Sequence, residues 1–479
     1  MISQFCFLLF LGILGASFVL LFRRSLGLFN VYALALPMGL TFWGLILLIL
    51  LATGLPLNIY TTVVLSLLLL TIFVIYQLRN KNFSKKDWKP FLIFLLSLSF
   101  ISLFFILVNY STLSNDSWIL LTGGKYIATY NDISEHFLTL GGILSYIINS
   151  SSVLFGFDYL YALYPLMTFL FLLIFFANLY LPIRRTSFIL SREFLFCLLT
   201  VLFLLSSYFM LFHAIYLHSN LIYGFYSFLA LYGLWKRLIC RDKIWLIISC
   251  LALVTSSFFR MEAPLFSLIL ILILISEGTI KLEEKLYYVG INSLFVLLWH
   301  TKLFFRLSDY ESQYLSSNKA LTTVVLYLVL FIVLLISHKG PLKKLREYFP
   351  LMMLCALSAG WSYLILTQGL RMKGNLLIME RYGIFILNSI KYGGWGITWI
   401  VLGILFAVGL ALKKVRHESV FLYYIFSFLL LFNSINLFRG GWRLNWGDSG
   451  NRMLIHIIFV ISFYAFLKFR NVLFPNAQG

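Results

Sequence analysis

Charge is what this sequence has least of. Of 479 residues only 11% are Asp, Glu, Lys or Arg, and just 17 of those are acidic. Soluble domains carry about 25% charged residues, so a chain this long and this poor in charge is excluded from that class. Cysteine is scarce as well. Cys6, Cys197, Cys240, Cys250 and Cys355 lack metal-ligand spacing and form no disulfide framework. His213 and His218 flank a short turn without acidic or cysteine partners at fixed spacing, so no metal motif is indicated. No convincing internal repeat is present either, whereas an inverted-repeat transporter should show paired, interrupted helices in its two halves.

What the sequence has in excess is apolar length. It is 61% hydrophobic, with a mean hydropathy of +0.95. A membrane-spanning helix needs about 20 mostly apolar residues. Fifteen such runs are centred near residues 12, 41, 67, 99, 170, 201, 227, 251, 270, 293, 329, 359, 403, 428 and 460. The expectation is an all-α polytopic membrane protein of about 15 transmembrane helices, residues 1–479 forming one integral membrane domain. The first run has no basic residues before it, and Arg23 and Arg24 follow it, which reads as a retained helix rather than a signal peptide. Pro37 is expected to kink the second span.

The net charge of +20 is a topology signal. When the loops alternate sides from an N-terminus outside, one set collects 25 of the 37 Lys and Arg, including Arg79 to Lys89, Lys236 to Lys243 and Lys339 to Arg346. Acidic residues split 8 and 9, leaving about +17 on one face and +3 on the other. A bias of this kind marks the cytoplasmic side, so the C-terminus is expected there. It argues against a nucleic-acid partner, because the charge follows the membrane faces.

Three regions result: N-terminal helices 1–110, an external segment 111–157, and the remaining bundle 158–479. The external segment is the longest polar interval and carries Asp116, Lys125, Asp132, Glu135 and His136. Ser117 to Tyr130 and Gly142 to Phe157 are too short to span, and both are expected to lie as helices in the membrane surface, with Tyr146 and Phe157 as anchors. Asp116 then sits at the height of lipid head groups. Its bland role is a helix cap.

Further polar residues fall on the same expected face. Arg260 stands beside Glu262 and a break at Pro264, either as a local ion pair or as a phosphate ligand. Asp448, Arg452 and His456 are spaced i, i+4, i+8, a polar stripe descending about 12 Å into the last span. Groups at that depth face protein or water rather than lipid. The structural reading of the stripe is a cap, an Asp448–Arg452 pair and a packed histidine. Arg443, with Trp442 and Trp446, would suit a rim. The late segment Gln368 to Gly394 holds Arg371, Lys373, Glu380, Arg381 and Lys391, the alternative seat of activity.

Three stretches resemble the GT-C superfamily of integral-membrane glycosyltransferases: Asp116 in the first large external loop leading to GFDYLYALYPL, SSFFRMEAPLF at Ser256 to Phe266, and GDSGNRMLIH at Gly447 to His456. The resemblance implies transfer of a sugar from a polyprenyl-phosphate donor to a glycan, lipid or protein acceptor outside a bacterial cytoplasmic membrane. It implies Asp116 as the general base. Arg260, Arg452 and Arg443 would bind the donor phosphate, and Asp132, His136, Glu262, Asp448 and His456 would support the substrates. No cofactor is required and no metal ligand is assigned, with divalent-metal dependence left open. The alternatives are an O-antigen or polysaccharide polymerase or ligase using the late arginines, and a flippase for lipid-linked oligosaccharides.

Overall fold

The computed structural model describes residues 1–79, 88–108, 113–133, 142–180, 192–306, 316–338, 342–369, 372–439, 443–445 and 447–474. Its elements are helices: α1 Ile2–Val19, α2 Arg23–Thr53, α3 Ile59–Arg79, α4 Trp88–Val108, α5 Asn115–Tyr130, α6 Ile143–Leu154 and α7 Leu163–Tyr180. Next come α8 Arg192–Leu205, α9 Tyr208–Ile215, α10 Ser219–Cys240, α11 Lys243–Ser256, α12 Ala263–Ser276, α13 Leu282–Arg306 and α14 Ser317–Ile336. The chain finishes with α15 Leu342–Leu345, α16 Phe349–Gly369, α17 Met372–Leu387, α18 Thr398–Ala411, α19 Ser419–Arg439, α20 Ser449–Met453 and α21 Ile455–Leu473.

Every one of the fifteen expected centres falls inside a helix, but membrane length is a stricter test. Among the described residues ten helical segments are long and apolar enough to cross a bilayer, or eleven with the pair α8–α9 counted as one broken span bent by 77°. The other expected spans fall short for identifiable reasons. α11, α12 and α18 have 14 residues each, roughly 21 Å against a hydrocarbon core of ~30 Å. α10 has 22 residues but opens with Ser219 and Asn220 and carries three buried tyrosines, Tyr223, Tyr226 and Tyr232. Buried on all sides from Ser219 to Trp235, it is sheltered by protein, and polarity costs less there than against lipid.

Close helix crossings hold the N-terminal part. A Cβ on Gly15 would lie 1.7 Å from the Ala35 carbonyl oxygen, and one on Gly39 would lie 1.8 Å from that of Leu11. α1 and α2 therefore touch backbone to backbone, the way small residues let helices associate where no hydrophobic drive separates protein from lipid. The non-helical residue within α2 is Gly27 at φ +73°, rather than Pro37. The Pro37 carbonyl accepts the Tyr226 hydroxyl at 2.6 Å.

Connectors meet at two ends of the bundle. At one end Gln4 donates to the Tyr159 carbonyl (3.1 Å), Arg306 binds Asp132 (2.7 Å), and Asn131 bonds Leu57 N and Leu55 O, each at 3.0 Å. At the other end Arg237 binds Glu284 (2.8 Å), Lys468 binds Glu418 (2.8 Å), and Arg470 reaches the Leu179 carbonyl (3.1 Å). These two groups coincide with the two alternating loop sets read from the basic bias. Gln4 thus lies toward one end and Arg470 toward the other.

One expectation for the 111–157 segment is corrected. α5 does have an outward face, with Trp118 54% and Tyr130 65% exposed. α6 does not lie on the surface: Ile143 through Ser152 are all buried, Tyr146 has no exposure, and Ser151 accepts the Trp43 indole at 2.8 Å. Its polar Ser145, Asn149, Ser150 and Ser152 bond backbone carbonyls. With these side-chain donors satisfied inside the protein, the helix can be enclosed by α5 and α2.

Candidate functional site

Asp116 is placed by the start of α5. Ser114 caps that helix, its hydroxyl accepting the Asp116 N–H at 3.2 Å, while Ser117 closes a capping box by accepting the Ser114 N–H at 3.3 Å. The cap is therefore Ser114, and Asp116 stands in the first turn where the helix dipole favours a negative charge. Two further bonds fasten this turn to the connector between α9 and α10: Ser114 Oγ with Tyr216 OH (2.6 Å) and Ser117 Oγ to Leu217 O (2.9 Å).

That connector brings His218 to the carboxylate. Its Nε2 lies 4.0 Å from Asp116 Oδ2, with the histidine side chain 3% exposed and the aspartate 24%. His218 Nδ1 accepts the Asn220 N–H at 3.4 Å. Burial pushes its pKa well below the ordinary range, and the Arg452 and Arg260 charges push the same way. In the neutral ring Nδ1 is thus the acceptor and the proton sits on Nε2, facing Asp116. At 4.0 Å this is an approach rather than a hydrogen bond.

The same oxygen is held by Arg452, whose Nη1 forms an ion pair with Asp116 Oδ2. Its position comes from α20, which Asp448 caps by accepting the N–H of Gly450 (3.0 Å) and of Asn451 (3.3 Å). Asp448 also takes the Arg443 N–H at 3.1 Å. Asn451 accepts the Trp395 indole (2.6 Å) and donates to Gly393 O (3.0 Å); Phe209 N donates to Gly394 O (2.9 Å). α9, the 393–396 connector and α20 are thereby stitched into one wall beside Asp116.

Arg260 enters from the connector after α11. Gly142 approaches so closely that a Cβ there would be 2.1 Å from Phe258 O. Gly142 N and Leu144 N donate to Phe259 O (3.0 Å) and Phe258 O (2.9 Å). Arg260 pairs with Glu262, Nη2 to Oε1 at 3.0 Å, the local ion pair that the sequence offers as its structural role. Its charge nonetheless acts on His218.

The expected constellation is rearranged. The stripe runs down one span, Gly450–Leu473, but its members meet different neighbours: Asp448 caps the helix, Arg452 pairs with Asp116, and His456 Nε2 meets Asn220 Oδ1 at 3.2 Å. Asp132 is removed from the cluster. It lies beyond the far end of α5, roughly 24 Å from Asp116 at 1.5 Å per residue, bound to Arg306. Arg443 has an exposed side chain, and its backbone supports Asp448 and Asn388. His136, Arg371, Trp442 and Trp446 lie outside the described residues.

Sequence reasoning passed over His218 and His213. His213 is fully buried with neither ring nitrogen hydrogen-bonded, and Asn220 Nδ2 and His456 Nδ1 are likewise without partners. Orphaned buried groups of this kind call for water or a ligand. The available signal was that His218 ends a three-residue connector on the face assigned to Asp116. Among the described residues no group of three or more His, Cys, Asp or Glu has the arrangement of a metal site.

Helices of this length and apolarity define an integral membrane protein of the polytopic, all-helical class. Comparison with protein-family models, curated proteins and solved structures finds no match.

Proposed function

We propose that the protein is a glycosyltransferase of GT-C type that moves a sugar from a polyprenyl-phosphate donor to an acceptor hydroxyl, with Asp116 as general base. The observation that carries this reading is the Asp116–Arg452 ion pair. It joins a carboxylate to the cation best suited to phosphate at one end of a membrane bundle, where a lipid-linked donor presents its head group.

The pair suggests how the reaction is ordered. With no donor present, Arg452 occupies the carboxylate. A donor phosphate competes for the guanidinium and releases Asp116. The acceptor oxygen then attacks the anomeric carbon, its proton passes to Asp116, and the carbon–oxygen bond to phosphate breaks with the electron pair leaving on phosphate. Arg452, reinforced by Arg260, holds that leaving charge. His218, with its Nε2 proton toward Asp116, orients the carboxylate. One displacement inverts the anomeric centre. By the basic bias this end faces outside a bacterial cytoplasmic membrane, with the N-terminus outside and the C-terminus cytoplasmic.

The test is transfer from a panel of short-chain polyprenyl-phosphate sugars by purified wild-type and Asp116→Asn protein in nanodiscs. Loss of at least about 100-fold is expected when a general base is removed, with the melting temperature lowered by no more than the loss of the Arg452 pair, about 1 kcal/mol. Full transfer by Asp116→Asn would rule the base out, and if Arg371→Ala and Arg381→Ala then abolish it, the polymerase or ligase reading takes its place.

A further inference from the structure

A second feature lies at the opposite end of the bundle and owes nothing to the Asp116 site. α2, α4 and α7 diverge there around a cavity of about 740 Å³. Its walls are Phe29, Tyr32 and Ala33 of α2, Ile93 to Ile101 of α4, and Leu166 to Leu173 of α7. The Tyr32 and Phe94 rings stack at 4.9 Å within it. Lys89 stands on its rim, exposed and in the first turn of α4.

All three walls are membrane-length helices, so the cavity lies at bilayer depth. From Lys89 to Ile101 it descends roughly 18 Å at 1.5 Å per residue, a little over half of a ~30 Å hydrocarbon core. Water filling so apolar a space would forgo hydrogen bonds, and a void would forfeit dispersion contacts along every wall. A hydrocarbon chain meets neither objection. At the rim the requirement is reversed. Lys89 adds a positive charge where the α4 dipole is already positive, and an anion there answers both.

We propose that this groove binds one acyl chain of an anionic glycerophospholipid, with the phosphate on Lys89. The site reaches past the middle of the bilayer, opens sideways to it and selects for head-group charge through the Lys89 ammonium.

The test uses full-length protein in nanodiscs of equimolar phosphatidylglycerol and phosphatidylcholine, each in turn carrying a photoactivatable acyl chain, with native mass spectrometry of the released protein. Wild-type protein should retain one phosphatidylglycerol preferentially and crosslink it to peptides from 89–101 and 166–173. Ser97→Trp, which fills the exposed floor of the groove, should remove those crosslinks with either lipid. Lys89→Glu should keep the crosslinks but lower the preference for phosphatidylglycerol roughly tenfold, the scale of one lost charge-assisted phosphate contact. Crosslinks scattered evenly over the lipid-facing helices of wild-type protein would overturn the proposal, and so would a second copy of the chain covering α4 and α7. The wild-type map decides the matter even if a variant does not fold.

Discussion

Arg452 lays its guanidinium on the carboxylate of Asp116 although 336 residues separate them. Neither partner is fully enclosed, the side chains being 18% and 24% exposed. The pair is therefore expected to contribute about 1 kcal/mol, between a surface pair and a buried charged hydrogen bond. A double-mutant cycle with Asp116→Asn and Arg452→Gln, read by thermal unfolding in detergent, measures it. Coupling near zero would remove the pair as a stabilising contact of the fold.

A sharper consequence concerns donor binding. If phosphate displaces Asp116 from Arg452, then Asp116→Asn removes the competitor and should tighten binding of a polyprenyl-phosphate analogue several-fold while abolishing transfer. Arg452→Gln should weaken binding by about tenfold, the loss of a charge-assisted bond. Equal affinities in the wild type and Asp116→Asn would remove the exchange from the mechanism.

Asn131 offers a stability test at the far end of α5. It takes the left-handed conformation at φ +53° while bonding the backbone of Leu55 and Leu57. Asn131→Gly keeps the backbone geometry and loses the bonds, costing about 1–2 kcal/mol. Asn131→Ala adds left-handed strain and should cost about 1 kcal/mol more. Equal melting temperatures for the two variants would show that the strain is relieved elsewhere.

How much of this was legible beforehand depends on the range of the interaction. Apolar run length is local, and every expected span centre lies in a helix. Even Arg260 beside Glu262, two residues apart, could be read as the pair it forms. Burial of α6 was hidden, because Ser145, Asn149, Ser150 and Ser152 look like surface polarity until their carbonyl partners are known. The stripe Asp448, Arg452, His456 does run down one span, but the partners of Arg452 and His456, Asp116 and Asn220, come from helices 336 and 236 residues away in sequence. His218 becomes a site residue through a fold that brings the α9–α10 connector onto α5, and no spacing rule encodes that.

His218 also gives a pH dependence. Its folded pKa is depressed by burial first and by Arg452 and Arg260 after that. Below the ordinary histidine value of about 6.5 the unfolded chain binds a proton that the native ring refuses, so stability is full above that pH and falls as pH drops. His218→Gln should lessen the fall in melting temperature between pH 7 and pH 5. An unchanged pH profile would place a charged, solvated ring at this position.

The two groups of connectors permit a direct test of how the chain threads the bilayer. Asn131 is bonded to the 54–58 connector, whereas Trp235 bonds the Arg416 carbonyl at 3.0 Å and Lys468 that of Leu412 at 3.1 Å. Single cysteines replacing Asn58 and Thr129 should thus be labelled by a membrane-impermeant maleimide from one side of sealed vesicles, and those replacing Lys243 and Lys413 from the other. The short helices α11, α12 and α18 make this informative. If they reach across, through local thinning of the bilayer or through their connectors, the alternation holds along the whole chain. A re-entrant α11–α12 pair would leave all four sides unchanged, because positions 58, 129 and 243 precede its far turn and the pair returns the chain to the end it left. Position 413 then discriminates: α18 carries the chain from the 393–396 connector to the Lys413 end, and labelling of Lys413→Cys from the same side as Thr129→Cys would show that it does not cross.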